Sequence, residues 1–406
     1  MADSKSRKRK LLRVPRKKGS LSIFNNLTDE LLNEILIRLP SCKQAIRCKL
    51  VCKRWFSLIT SDYFVTTSVH HHRNKDETIL PFTLLLHDRE NNSVEYVECP
   101  KRKRGLSSSH VDLGFLPDKI CLEASYGDLI LCYDGRNYSI CNILTRQWII
   151  LPPSRLGISG GIGFLVEPNC VDNVPYKVLK YSFRDEYRID VEIFSSEQGR
   201  WTRFVVTSPR RLNYLKSNTP LIACGRMLYR LPYRSCDHMP ANFVMAFDPF
   251  TNDPAQIVHI IDLPFETRDE RTLLLCGQYD FLVSSTLGVC RGRLRFAQVA
   301  EKYGLFLSVW ELEDYRMGKW TLVHKSLSRQ RLGSVLAFHP NNEDLICSRI
   351  GDYRVVVYNL RTGKVESFTY PRILKLPNSP SSDALQVLPI TQKWWPTPVR
   401  GASYQE

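Results

Sequence analysis

Three groups of residues in this 406-residue chain have side chains that could do chemistry: thirteen cysteines, the run His70-His71-His72, and the stretch Gly157-Ile158-Ser159-Gly160-Gly161-Ile162-Gly163. Thiolates and imidazoles could hold zinc, but no C-x-x-C pair occurs, and Cys48 and Cys52, four apart, have no histidines near them. The odd, dispersed cysteines read as reduced thiols packed as small apolar groups, and the histidine run as part of a polar linker. The glycine stretch follows Pro152-Pro153 and runs into Phe164-Leu165-Val166. It predicts a turn entering a strand, because a phosphate cradle needs a helix behind the glycines. P-loop, G-x-S-x-G and H-E-x-x-H patterns are absent. The expectation is therefore a non-enzyme with no catalytic residues, metal or cofactor, whose chemistry is recognition.

Charge is the next clue. The net charge of +16 would suit a nucleic-acid partner if it were spread over a folded face. It is not: residues 1–20 carry nine basic side chains against Asp3, and Lys101-Arg102-Lys103-Arg104 forms a second run, so the remainder is nearly balanced. Arg7-Lys8-Arg9-Lys10 and Arg16-Lys17-Lys18 make a two-cluster tract of the nuclear-import type. A solubilising disordered tail is the alternative, and a nucleic-acid arm a third, weakened by the lack of interleaved aromatic residues. No apolar run reaches 18 residues and no apolar segment follows the basic start. The chain is expected inside the cell, in the nucleus first and the cytoplasm second, without a membrane span.

Two helical patterns must position whatever residues 21–64 recognise. Leu27, Leu31, Leu32, Ile35, Leu36 and Leu39 follow one helix face, Thr28 can cap it, and Pro40 stops it. A second helix is expected from about Lys43 to Ile59, with Ala45, Ile46, Leu50, Val51, Trp55, Leu58 and Ile59 apolar. A unit this small needs association to bury both stripes. The segment resembles an F-box, on the pattern Leu27, Glu30-Leu31-Leu32, Glu34-Ile35-Leu36, Arg38-Leu39-Pro40, then Val51-Cys52-Lys53-Arg54-Trp55 with Leu58-Ile59, and with Thr28 where the family usually has proline. The resemblance implies docking onto a Skp-type adaptor and, through it, cullin and RING subunits. It implies Leu27, Leu36, Leu39, Pro40, Val51 and Trp55 as adaptor contacts. Leu31 and Ile35 are candidates too, divided, like Leu32 and Ile59, between docking and internal packing.

From about residue 78 short β-branched and aromatic strands alternate with Gly, Asp and Asn turns. Trp148, Trp201, Asp253, Trp320 and Val365 mark equivalent points at intervals of 53, 52, 67 and 45 residues, near the roughly 50-residue period of kelch blades. A β-propeller of six or seven blades is expected, with a β-sandwich as alternative. The region also resembles the kelch-like, F-box-associated β domain of plant F-box proteins, on Leu129-Ile130-Leu131-Cys132, Asn142 to Trp148, Val309-Trp310-Glu311-Leu312, Gly318-Lys319-Trp320, Ala337-Phe338-His339-Pro340 and Trp394-Trp395-Pro396-Thr397-Pro398. In that family the domain selects the target. Arg210-Arg211 and Arg291, Arg293 and Arg295 could read acidic or phosphorylated groups, or form a solvated face.

The expected fold class is α+β multidomain: a basic tail (1–20), a helical F-box (21–64), a linker (65–77), an all-β, kelch-like propeller (78–395) and a C-terminal tail (396–406). The expected function is the substrate-recognition subunit of an SCF-type ubiquitin ligase, with a protein target that the sequence does not name. The rival is a nuclear, nucleic-acid-associated propeller with a basic arm.

Overall fold

The computed structural model describes residues 27–39, 42–73, 82–89, 93–99, 115, 120–143, 145–157, 160–167, 175–212, 215–216, 221–234, 241–264, 284–301, 305–328, 332–350, 354–369, 385–391 and 397. The basic tract and Pro40 lie outside them. The chain divides into two compact units, Met1–Arg73 and Asn74–Glu406.

Four short helices make up the described part of the first unit: α1 (Asp29–Ile37), α2 (Cys42–Cys48), α3 (Lys53–Thr60) and α4 (Asp62–Arg73). Thr28 caps α1 as expected: its backbone is extended and its hydroxyl accepts from the Leu31 amide at 3.5 Å, while Asp29 and Glu30 sit in the first turn, at the positive end of the helix dipole. The second apolar pattern forms two helices where one was expected. The amides of Lys49, Leu50 and Val51 each reach back three residues at 3.1 Å, tightening the end of α2, and Cys52 is extended before α3 begins. The break lets α3 pack on both α1 and α2, with Ala45 and Ile59 buried beside Leu32, Leu36, Ile37 and Phe64. A second correction concerns the linker: α4 runs through residues 65–73, anchored by buried Phe64 and Ser68 one turn apart, so the histidine run belongs to a helix.

Among the described residues the second unit is a β-propeller of six blade sheets with one two-stranded ribbon beside them. Blade 1 contains β1 (Phe82–Asp88) and β2 (Ser93–Cys99); blade 2, β3 (Cys121–Tyr126), β4 (Leu129–Tyr133), β5 (Tyr138–Asn142) and β6 (Gln147–Ile150); blade 3, β7 (Ile162–Val166), β8 (Tyr176–Phe183), β9 (Arg188–Ser195) and β10 (Arg200–Thr207). A two-residue ribbon, β11 (Leu215–Lys216) with β14 (Tyr233–Arg234), flanks blade 4, whose strands are β12 (Ile222–Cys224), β13 (Met227–Arg230), β15 (Phe243–Phe247) and β16 (Val258–Asp262). A single helical turn, α5 (Pro254–Ile257), leads into β16. Blade 5 is β17 (Ser284–Cys290), β18 (Arg293–Glu301), β19 (Leu305–Asp314) and β20 (Lys319–Ser328); blade 6 is β21 (Val335–Phe338), β22 (Leu345–Ile350), β23 (Arg354–Asn359) and β24 (Lys364–Thr369). The last strand, β25 (Leu385–Thr391), returns to pair with β1, Leu385 opposite Asp88 and Thr391 opposite Phe82, and completes blade 1.

Six apolar clusters fill the seams between neighbouring blades and close the ring. Side-chain parity decides which seam each residue joins. In β15, Phe243, Met245 and Phe247 face blade 3 while Val244 and Ala246 face blade 5. In β23, Val355 and Val357 face blade 1 while Val356 and Tyr358 face blade 5. Strands covered on both faces therefore appear in the sequence as unbroken apolar runs.

The expected repeat points all fall on, or lead into, the outermost strand of a blade. Trp148, Trp201, Trp320 and Val365 lie on β6, β10, β20 and β24, and Asp253 caps α5 by accepting from the Ala255 amide at 3.0 Å. Before three of these strands the chain makes the same turn: Arg146, Gly199 and Gly363 adopt left-handed backbone (φ 59°, 64° and 67°), and their amides reach the carbonyls of Asn142, Ser195 and Asn359 at 2.8, 2.8 and 2.9 Å. Thr397 is clasped as well. Buried Asp128 accepts from the Thr397 amide and the Asn142 side-chain amide at 2.7 Å each, and from the Thr397 hydroxyl at 2.5 Å.

Candidate adaptor-docking site

Helix α1 presents two apolar stripes, and the structure assigns them opposite duties. Leu32 and Leu36 face inward with Ile37, and Leu36 is 2% exposed. Leu31 and Ile35, one turn apart, face outward at 54% and 46%. Leu36 is thus a core residue and not a docking residue, because α1 packs against α3 and α4 along the stripe that contains it. Of the other expected contacts, Val51 is exposed in the turn between α2 and α3, Leu27, Leu39 and Trp55 are half-buried, and Pro40 is not described.

The outward apolar surface is larger than expected. Leu50, Phe56 and Tyr63 also lie exposed, Leu50 at 88%. Helical spacing does not separate Phe56 from the buried Ile59, only three residues away. Arg54 fixes how α3 meets the start of α1: its guanidinium donates to the Asp29 carboxylate at 2.8 Å and to the Leu27 carbonyl at 2.5 Å. Arg54 and Asp29 are 36% and 58% exposed, so their ion pair orients more than it stabilises. Burial pushes the Cys48 thiol up from its ordinary value.

In the second unit the arginines singled out by sequence are engaged. Arg210 pairs with Asp262 and Arg211 with Glu186, both at 2.5 Å; Arg291 reaches Glu343 at 3.4 Å and Arg293 reaches Glu311 at 2.9 Å. Arg295 is buried and also held by Glu311 at 2.9 Å, so it belongs to the blade interior and not to a surface. The glycine stretch does enter a strand, β7. Gly161 lies so close to Tyr181 and Arg230 that a Cβ there would stand 2.6 Å from the Arg230 guanidinium. Among the described residues no three His, Cys, Asp or Glu side chains converge as metal ligands, and no helix is long and apolar enough to cross a membrane.

Comparison with known families agrees with both units. The F-box domain matches residues 24–67, and the family described as "F-box protein At3g26010-like, beta-propeller" matches residues 101–372. The chain belongs to the F-box β-propeller family. This F-box propeller is 27% identical to the F-box/kelch-repeat protein At1g15680 of Arabidopsis thaliana over 364 residues, covering 84% of this chain and 83% of that one. It is 25% identical to F-box protein At5g49610 of the same plant over 357 residues, covering 82% and 88%. With F-box protein At5g07610, also of Arabidopsis thaliana, it shares 24% over 309 residues, 70% of this F-box propeller and 67% of that chain.

Proposed function

We propose that this chain is the substrate-receptor subunit of an SCF-type cullin-RING ubiquitin ligase. One observation carries the reading: the four-helix unit, whose sequence matches the F-box, fills its core with Leu32, Leu36, Ile37, Ala45, Ile59 and Phe64 and still leaves Leu31, Ile35, Leu50, Val51 and Phe56 in solvent. Apolar surface of that extent on so small a unit calls for a partner, and for an F-box the partner is a Skp-type adaptor that links it to cullin and RING subunits. The propeller then holds a protein target. The chain itself makes and breaks no bonds; tethering raises the effective concentration of the target near the conjugating enzyme and orients it. The basic tract of residues 7–18 directs the assembly to the nucleus.

Little supports the nucleic-acid rival. A duplex-binding face needs cations free to meet phosphates, whereas Arg210, Arg211, Arg291, Arg293 and Arg295 already meet carboxylates. Reconstitution tests the proposal. The full chain mixed with adaptor, cullin, RING protein and conjugating enzyme should assemble and become ubiquitinated itself, as a tethered receptor does. Failure of the folded chain to enter the assembly would contradict it.

A further inference from the structure

At one end of blades 4 and 5 lies a cavity of about 760 Å³, within the size range of sites that enclose a ligand, about 300–1,000 Å³. Its rim is made of tight turns: Gly225-Arg226 between β12 and β13, Gly292 between β17 and β18, and Tyr315-Arg316 between β19 and β20. The first two turns are tied together across the seam by the Cys224 thiol, which donates to the Gly292 carbonyl at 3.2 Å. Side chains added at Gly225 or Gly292 would meet open space, so the mouth is unobstructed there. Met227, Leu294 and Leu312 form an apolar floor continuous with the inter-blade cluster.

The rim charges are unevenly used. Glu313 is taken by Lys319 at 2.5 Å and by the Thr321 hydroxyl, and Asp248 accepts from the Phe250 amide at 2.9 Å; Asp314, behind the rim, accepts from the amides of Arg316 and Met317. Arg293 is held by Glu311. Two guanidiniums remain with no carboxylate within ion-pair distance among the described residues. Arg226 lies over the Phe250 ring, 4.6 Å from its centroid, and Arg316 donates to the Tyr315 hydroxyl at 3.1 Å. Aromatic contacts of this kind hold a guanidinium in place without neutralising it, leaving its forked donors for a planar or tetrahedral anion.

We propose that this groove receives the target as a protein segment that presents a phosphate or carboxylate side chain to Arg226 and Arg316, with an apolar neighbour on the floor. The inference rests on the reading of the propeller as the target-holding half of the receptor. A protein segment fits better than a nucleic-acid backbone, since Asp248 and Glu313 along the same rim would repel a continuous row of phosphates.

The test uses the full chain and three degenerate peptide pools that differ only at one fixed position: phosphoserine, glutamate or serine. A single-stranded oligonucleotide serves as competitor. The phosphoserine pool should bind about tenfold or more tightly than the serine pool, as charge-assisted bidentate pairing predicts. Arg226→Ala/Arg316→Ala should remove that preference, while Arg361→Ala, in an exposed turn elsewhere, should keep it. A glutamate pool equal to the phosphoserine pool would identify carboxylate as the sufficient feature; a weaker one would identify phosphate. Equal binding of serine and phosphoserine pools, a preference that survives in the double variant, or stronger binding of the oligonucleotide would each overturn the proposal. Adaptor binding measured on the same preparations is a separate readout: its loss with peptide preference intact would sink the ligase reading and leave the groove standing.

Discussion

Leu36 and Ile35 are adjacent in the chain and about 100° apart around α1, Leu36 sealed inside the helical unit and Ile35 half out of it. Their substitutions should therefore fail in different ways. Leu36→Ala removes buried volume and is expected to cost about 2–5 kcal/mol of stability, lowering the denaturation midpoint of the helical unit. Ile35→Ala is expected within about 0.5 kcal/mol of wild type, as for other surface changes. Urea unfolding followed by the far-ultraviolet signal of the helices separates the two. A Leu36→Ala variant as stable as wild type would show that α1 is oriented differently.

The outer-strand tryptophans of blades 3 and 5 make the same bond one blade back. The Trp201 indole donates to the Pro152 carbonyl and the Trp320 indole to the Asp262 carbonyl, each at 2.8 Å. Trp201→Phe and Trp320→Phe keep most of the apolar area and lose the donor, so each is expected to cost about 0.5–1.5 kcal/mol for the bond, plus a packing loss from the smaller ring. Thermal unfolding of the propeller measures it, and similar losses in the two variants would mark the positions as equivalent.

The shared turn before the outer strands gives a prediction of contrasting effect. Gly363→Ala and Gly199→Ala place a Cβ on left-handed backbone, which costs roughly 1–2 kcal/mol and is offset in part, by about 0.4–1 kcal/mol, through restriction of the unfolded chain. Net destabilisation is expected in both. Arg146 already tolerates that conformation in blade 2 and stands 5.9 Å from the Phe115 ring, so Arg146→Gly relieves strain while losing a contact and is expected to come out near zero. Chemical denaturation of the three variants side by side decides it.

Histidine burial makes propeller stability depend on pH. Burial holds His339 below its ordinary value of 6.5, and its Nδ1 accepts from the amides of Asn341 and Asn342 at 3.2 and 3.0 Å. His324 is lowered by burial too. A lowered folded pKa means the unfolded chain takes up protons first as pH falls. The stabilisation is thus fully present above about 6.5 and is lost as pH drops through the folded value, with a slope of up to about 1.4 kcal/mol per pH unit for each proton. His339→Asn keeps an acceptor for the two amides without a titrating group, and should flatten the decline between neutral pH and pH 5. An unchanged slope would place the titration elsewhere.

Much of this architecture could be read from residues. Trp201, Trp320 and Val365 mark the blade period because an apolar side chain on these outer strands packs against the neighbouring seam, whereas Trp148, at the equivalent point of blade 2, is 47% exposed. The ring closure through β25 was not legible, since a strand of seven residues carries no signal of a partner some three hundred positions away. In the helical unit, 3.6-residue spacing revealed that α1 is apolar on a broad arc but not which edge of that arc faces inward. That depends on where α3 and α4 dock, and α2 and α3 were fused in the sequence pattern because Val51 and Cys52 do not break apolar periodicity. The groove arginines carry no sequence signal for a related reason: Arg226 and Arg316 are isolated in the chain and line one groove only where two blades adjoin.

The most direct test of the receptor assignment is co-purification of the full chain with a Skp-type adaptor, comparing wild type with Leu31→Asp/Ile35→Asp. Both substituted side chains are exposed, so the variant should remain folded, and circular dichroism of the same preparation checks that it does. Adaptor retained by wild type and lost by the folded double variant is the predicted result. A folded double variant that retains the adaptor as well as wild type does, or a wild type that never binds it, would contradict the account.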